Sequence, residues 1–263
     1  MGRLMDYYAL YNEDIRLEKD KAHQIEFITS TNFLDKIIKK NSCILDVGAA
    51  TGKYSFYYAE KGHMVTAVDL SPKNIEVLRR KWELCNFKNK LNFSLGDARD
   101  LSVYENNSFD TVLCMGPIYH LANEEEKAKC ISECLRVLRP SGTLAIAYIN
   151  KFAVCASEIK RNKEKLFGSN LTNIINTGIE FGDDRDIFYF TSPKEIEMLL
   201  DKFNVEKLEN IATDGISYLS SSMINDFTEE EFDLWVKHHL DTCREESILG
   251  YSLHGLCICR KIN

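Results

Sequence analysis

The chain has 263 residues, 44% of them apolar, and a formal charge of −7. That length and apolar share suit a large α/β core. The acidic balance argues against general nucleic-acid binding, which needs a basic field. No window approaches the roughly eighteen apolar residues of a membrane span, and the charged opening "MGRLMDYYALYNEDIRLEKD" has no run of signal-peptide character. A soluble cytoplasmic protein, monomer or homodimer, is expected.

In chain order, Ile25, Ile28, Phe33, Ile37 and Ile38 share a helical face and predict a helix within 20–40. "CILDV" (43–47) is a strand that meets a Gly-rich turn, and "TGKYSFYYAEKG" is a short helix ending at Gly62. "HMVTAVDL" is a second strand. "SPKNIEVLRRKWELCNF" is a helix capped by Ser71 with Pro72 at its first position. "LNFSL" and "FDTVLCM" are the third and fourth strands. "NEEEKAKCISECLRVLRP" is a helix capped by Asn123 and stopped by Pro140, and "GTLAIAYI" is the fifth strand. Residues 151–190 break the alternation with Lys, Asn and the aromatic "DIFYF". It resumes with a helix at "SPKEIEMLLDKF" and strands at "VEKLENIA" and "HGLCICRKI". Between those strands, residues 214–252 contain a helix at "TEEEFDLWVKHHLDTCREE". Such alternation means a parallel sheet with helices on both faces. The two irregular pieces are candidate substrate covers.

Most of the nine cysteines lie in apolar runs such as "SCILDV" and "LCICRK" and read as small core residues in a reducing compartment. Cys130 and Cys134 are four apart on a predicted helix, and Cys257 and Cys259 two apart on a predicted strand. Neither pair has CxxC spacing, so no metal site is expected.

Chemistry gathers at successive strand ends. "LDVGAATG" (45–52) joins strand to helix through a Gly-rich turn whose backbone N–H groups can approach a ligand. Its G-x-x-x-G spacing lacks the dinucleotide fingerprint, which disfavours a nicotinamide dehydrogenase. Asp69 ends the second strand about 20 residues on, where a carboxylate can take two ribose hydroxyls. "SLGDARDL" puts Asp97 and Ala98 after the third strand, an acceptor beside a backbone N–H that suits an adenine edge. Each signal is weak singly; three on one side of one sheet are not.

These segments, with "VDLSP", "FDTVLCMGPIYHL" and "RVLRPSGTL", resemble class I S-adenosylmethionine-dependent methyltransferases, firmly over residues 20–150. "GPIYHL", with "YY…RL" near the start, resembles a bacterial subgroup acting on small molecules, of methyltransferase type 11/25. The resemblance implies a Rossmann-like, doubly wound, mainly parallel seven-stranded sheet with an antiparallel last strand. It divides the chain into a cofactor lid (1–20), a cofactor-binding core (21–150), an insertion (151–190) and the rest of the sheet (191–263) with the helical insertion 214–252.

The resemblance also implies residue roles toward S-adenosyl-L-methionine and its product S-adenosyl-L-homocysteine. Asp46, Gly48, Ala49 and Gly52 support the methionyl part. Asp69 and Leu70 hold the ribose, Asp97 and Ala98 the adenine, and Met115 and Gly116 border the sulfonium. Ala50 replaces the family's middle glycine, and its methyl crowds the cofactor if φ must be positive. Tyr11 and Arg16 are lid residues toward the cofactor, Arg16 because guanidinium pairs with carboxylate. Tyr8 and His254 are candidate substrate contacts.

Methyl transfer needs an aligned acceptor and, for a hydroxyl, a base. His120 is the candidate base and Tyr119 its neighbour; the alternative is that His120 only pins its loop to a backbone carbonyl. His238 and His239 read as surface residues. The motifs of amino methylation of DNA bases and of cysteine-based cytosine methylation are missing, so a small-molecule acceptor at O or N is the leading reading. A peptide or tRNA nucleoside acceptor is the first alternative, and a non-catalytic cofactor-binding regulator the second. An enclosed cavity meeting His120 favours catalysis, and a filled one favours binding alone.

Overall fold

The apolar runs bounded by turn residues become strands β1 (Cys43–Val47), β2 (Met64–Asp69), β3 (Leu91–Leu95), β4 (Phe109–Cys114), β5 (Leu138–Ile149), β6 (Val205–Ala212) and β7 (His254–Lys261). The computed structural model describes residues 2–11, 13–180 and 187–262. The strands form one seven-stranded sheet in the order β3-β2-β1-β4-β5-β7-β6. The first five pair in parallel, and β7 runs antiparallel between β5 and β6. This is the expected Rossmann-like sheet with its antiparallel last strand. Ile44, Leu45, Leu113, Leu144 and Ile146 are fully buried, as strands covered on both faces require.

Helices α1 (Gly2–Leu10) and α2 (Lys21–Ile37) precede the sheet. Helices α3 (Lys53–Glu60), α4 (Pro72–Leu84) and α5 (Glu124–Val137) connect its parallel strands. Helices α6 (Lys151–Arg161), α7 (Asn170–Thr177) and α8 (Pro193–Leu200) lead to β6. After it come α9 (Ser221–Asn225), α10 (Glu229–Thr242) and α11 (Glu246–Leu249). The caps are local chemistry. Ser71 accepts from the Asn74 N–H with Pro72 following, and Asn123 accepts from the Glu126 N–H. Ser192 with Glu195 and Thr228 with Glu231 form reciprocal capping boxes.

Two readings of the sequence need correction. The helix does not run to Pro140: α5 ends at Val137, and Pro140 lies inside β5. It is tolerated because the β4–β5 register slips between Phe109 and Thr111, and a slipped ladder does not need its N–H. His239 is not a surface residue. It follows Phe232 by seven positions, on the buried face of α10, and is only 4% exposed. Burial lowers its pKa.

Both irregular pieces carry apolar clusters outside the main core. Ala22 and Ile25 of α2 pack with Ile224 and Phe232 of the second piece. Val154, Cys155, Ile174 and Phe190 pack together in the first. Residues 181–186 of that piece, including Asp186 of "DIFYF", lie outside the described residues. No helix among the described residues is long and apolar enough to cross a membrane.

Candidate active site

The sheet order reverses at β1, whose neighbours β2 and β4 lead to opposite edges. Ligands of open α/β sheets sit outside the carboxyl ends of the strands at such a point. A cavity of about 760 Å³ lies there, bounded by the ends of β1 to β4 and covered by α1 and the segment after it. That volume is within the ~300–1,000 Å³ range of small-molecule sites.

The floor is the glycine turn. Gly48 has φ +71°, and a Cβ on it would stand 2.6 Å from Pro117 Cδ, so only glycine fits between β1 and the 117–120 turn. The Gly48 and Ala49 N–H groups both donate to the Val68 carbonyl, which locks the turn onto β2. Ala50 has φ +50°, the left-handed backbone that favours glycine. A left-handed L-residue costs roughly 1–2 kcal/mol, and glycine returns part of that as unfolded-state entropy. Ala50→Gly should therefore raise stability by up to ~1 kcal/mol, measured by denaturant unfolding. An unchanged or lower midpoint would show that the alanine methyl packs usefully.

Three carboxylates face the cavity from successive strand ends. Asp69 accepts from the Ala50 N–H at 2.8 Å through one oxygen. Its other oxygen accepts from the Ser71 N–H at 2.8 Å and Asn74 Nδ2 at 3.1 Å. It thus ties the glycine turn to the start of α4. Asp46 accepts from Ser55 Oγ at 2.5 Å through Oδ2, while its buried Oδ1 has no partner among the described residues. Burial, with a smaller push from Asp69, raises its carboxyl to about 7 against the Ser55 hydrogen bond. Asp97 accepts from Arg99 through both oxygens. Burial raises Asp97, but the Arg99 hydrogen bonds and charge outweigh it and hold the carboxyl below its ordinary value.

The other end of the cavity is aromatic. His120 Nδ1 lies 3.1 Å from the Ile187 carbonyl, which can only accept, so Nδ1 carries the proton. Nε2 is then an acceptor, and the Tyr8 hydroxyl of α1 donates to it at 2.8 Å. Burial pushes His120 down to about 4 despite the Ile187 bond. Tyr119 donates to the Met115 carbonyl at 3.0 Å, and its own carbonyl accepts from the Tyr189 N–H. Phe188 packs 4.8 Å from the His120 ring.

The cavity wall collects most of the residues singled out in the sequence: Asp46, Gly48, Ala49, Asp69, Leu70, Asp97, Ala98, Met115 and Gly116, with Tyr8, Arg16, Tyr119 and His120. Three others fall outside it. Gly52 caps α3 with φ +87°. Tyr11 is 37% exposed and stacks on Tyr7, because it lies one helical turn beyond the residues that reach inward. His254 sits behind the wall, 2.7 Å from Asp214 and 3.4 Å from Glu26. Arg16 does reach the cavity, but its N–H groups already donate to Glu13 at 2.8 Å and to both oxygens of Glu26 at 2.7 and 3.0 Å. Burial works against ionised Glu26, yet Arg16 and then His254 outweigh it and hold the carboxyl near about 2. Glu26 and Glu13 were not singled out, although a glutamate beside Ile25 on a buried helical face is itself a signal.

Residues 44–142 match the family described as a methyltransferase domain. The chain carries a class I S-adenosylmethionine-dependent methyltransferase domain. It is 31% identical over 108 residues to a ubiquinone biosynthesis O-methyltransferase of Xanthomonas oryzae pv. oryzae, covering 41% of this chain and 43% of that protein. It is 34% identical over 107 residues to the methyltransferase GfsG of Streptomyces halstedii, covering 40% and 37%. The chain thus spans about two fifths of the length of these curated relatives. Among solved structures, the CcbJ methyltransferase of Streptomyces caelestis aligns with TM-score 0.61 at 15% identity, covering 99% of this chain and 96% of that one. The [4+2]-cyclase SpnF aligns with TM-score 0.57 at 18% identity, covering 90% and 80%. These likenesses show the fold.

Proposed function

We propose that this protein transfers the methyl group of S-adenosyl-L-methionine to an oxygen or nitrogen of a small-molecule acceptor. One observation carries the reading: a single cavity joins the carboxylates of three successive strand ends to the Tyr8–His120 pair. A site for binding alone would not need to reach His120. The names of the curated relatives, a ubiquinone biosynthesis O-methyltransferase among them, support a small acceptor.

The residues present fit the cofactor. Asp46 Oδ1, without a partner among the described residues, is a buried acceptor on the cavity wall, suited to the methionyl ammonium. Gly48 and Gly116 both line the cavity and add no side chain to its floor. Asp69 would take the ribose hydroxyls, and Asp97 with Ala98 the adenine edge. The bound cofactor supplies a methyl group already activated on a sulfonium. This chain's residues have to align the acceptor, exclude water and hold its proton. His120 Nε2 would accept that proton or orient the group that carries it.

The test is calorimetric titration with S-adenosylmethionine and S-adenosylhomocysteine, with NAD as control, across pH. Both sulfur ligands should bind and NAD should not. Asp46 must shed its proton to pair with an ammonium. Affinity should therefore rise with pH from about 5.5 toward 7, by up to roughly tenfold per unit, with proton release visible in buffers of different ionisation enthalpy. Pairing lowers the carboxyl pKa, so the slope flattens once Asp46 is ionised in the free protein. No binding of either sulfur ligand would sink the proposal. Binding without release of S-adenosylhomocysteine product across a panel of phenols, carboxylates and amines would favour the non-catalytic reading.

A further inference from the structure

Behind the cavity floor, on the side of the sheet covered by α5, three thiols converge. Cys114 ends β4, one residue before Met115 of the cavity wall, while Cys130 and Cys134 stand one turn apart on α5. All three are buried, with no more than 1% exposure. The Cys114 and Cys130 sulfurs are 3.9 Å apart, and all three lie within 4.8 Å of one another. We propose that Cys114, Cys130 and Cys134 form a three-coordinate site for a soft, thiophilic divalent cation.

The geometry and the donor set argue together. Three sulfurs in a plane around an ion at ~2.3 Å, the zinc–thiolate bond length, stand about 4 Å apart. A larger soft ion widens the triangle toward the upper limit seen here. Zinc in structural sites takes four donors, and among the described residues this group offers three sulfurs. An all-sulfur donor set selects soft ions over magnesium, calcium or manganese. Two donors on one helix face and a third at a strand end are set by rigid elements. Charge limits how the ion is held. A complex with net charge is costly in an apolar interior, so two thiols release their protons to solvent and bind as thiolates. The third donates a lone pair as a neutral thiol, and the buried complex is neutral. No electron is transferred. Because Met115 follows Cys114 directly, an ion here braces the cavity floor from behind.

Cadmium is the probe. The reduced protein carries Cys43→Ser and Cys85→Ser, which remove the two half-buried thiols, and is titrated with cadmium against a competing chelator. One equivalent should bind, with an ultraviolet thiolate-to-cadmium band. Mass spectrometry after alkylation of the unfolded cadmium-quenched sample would be blind to the site, so alkylation is done on the native protein under transient opening. Cys114, Cys130 and Cys134 should then be protected by the metal. Cys130→Ala should weaken binding by at least about a hundredfold, and Cys257→Ala, in the other buried cysteine pair, should leave it unchanged. Failure of the folded parent to bind cadmium overturns the proposal. So does protection of other cysteines, a reading that does not depend on Cys130→Ala folding.

Discussion

Asp69→Ala is expected to lower the affinity for S-adenosylmethionine by more than about a hundredfold and to cost roughly 2–4 kcal/mol of stability. Both effects have one origin. The carboxylate accepts from Ala50, Ser71 and Asn74 and so holds the glycine turn against α4. It also lies on the cavity wall, where it would take the ribose hydroxyls. Burial raises its pKa, although the bonds to Ser71, Ala50 and Asn74 oppose this. Truncation leaves those donors without their acceptor in a dry site. Asp69→Asn is not a mild control, because one face of an amide is a donor. With its oxygen toward Ser71 and Asn74, its NH2 group meets the Ala50 N–H; flipped, it meets the other two. The amide should therefore fold less stably than the parent and bind weakly. Calorimetry separates the roles when paired with denaturant unfolding at the same pH. A folded Asp69→Ala that binds S-adenosylmethionine within about threefold of the parent would remove the ribose role and leave a structural one.

Asp69 was legible because strand ends are legible. The short apolar runs, their turn residues and the Ser71 and Asn123 caps are local signals, and alternation turns them into one parallel sheet. Once the sheet is inferred, its carboxyl edge gathers Gly48, Asp69 and Asp97 without further information. What the sequence did not disclose is what crosses long separations or faces inward against its residue type. Tyr8 meets His120 across 112 positions, and nothing near either residue encodes the other. Arg16 read as a free cation for a carboxylate ligand, but the fold supplies its own carboxylates from Glu13 and Glu26. The periodicity that buries Phe232 also buries His239, yet residue type suggested the surface. Cysteine spacing along the chain gave two isolated pairs. The third sulfur of the cluster comes from β4, sixteen residues before Cys130, and only strand-on-helix packing reveals it.

His120→Ala is expected to lower turnover of an acceptor found by screening by about 10²–10³-fold, in the range of a lost general base or orienting group. The pH profile carries the sharper test. Burial holds the His120 imidazole near about 4, so it stays neutral and able to accept a proton through the physiological range. The limb it controls should be flat from about pH 5.5 upward and fall only as pH approaches 4, where the ring protonates and Nε2 ceases to accept. An exposed histidine would instead give an inflection near 6.5. Tyr8→Phe removes the hydroxyl that donates to Nε2. It should alter turnover far less than His120→Ala, because the acceptor itself can present a hydroxyl or amine to the vacated nitrogen. A loop-pinning role predicts another pattern. His120 holds Ile187, and the Tyr119 carbonyl holds Tyr189, so loss of the pin would loosen this segment and raise KM with kcat little changed. His120→Gln can keep a donor toward Ile187 but cannot act as a base near neutral pH. Recovery of KM in His120→Gln, with kcat little changed in either variant, would assign His120 to holding the loop, and loss of kcat in both variants with KM preserved would place it at the reacting atoms.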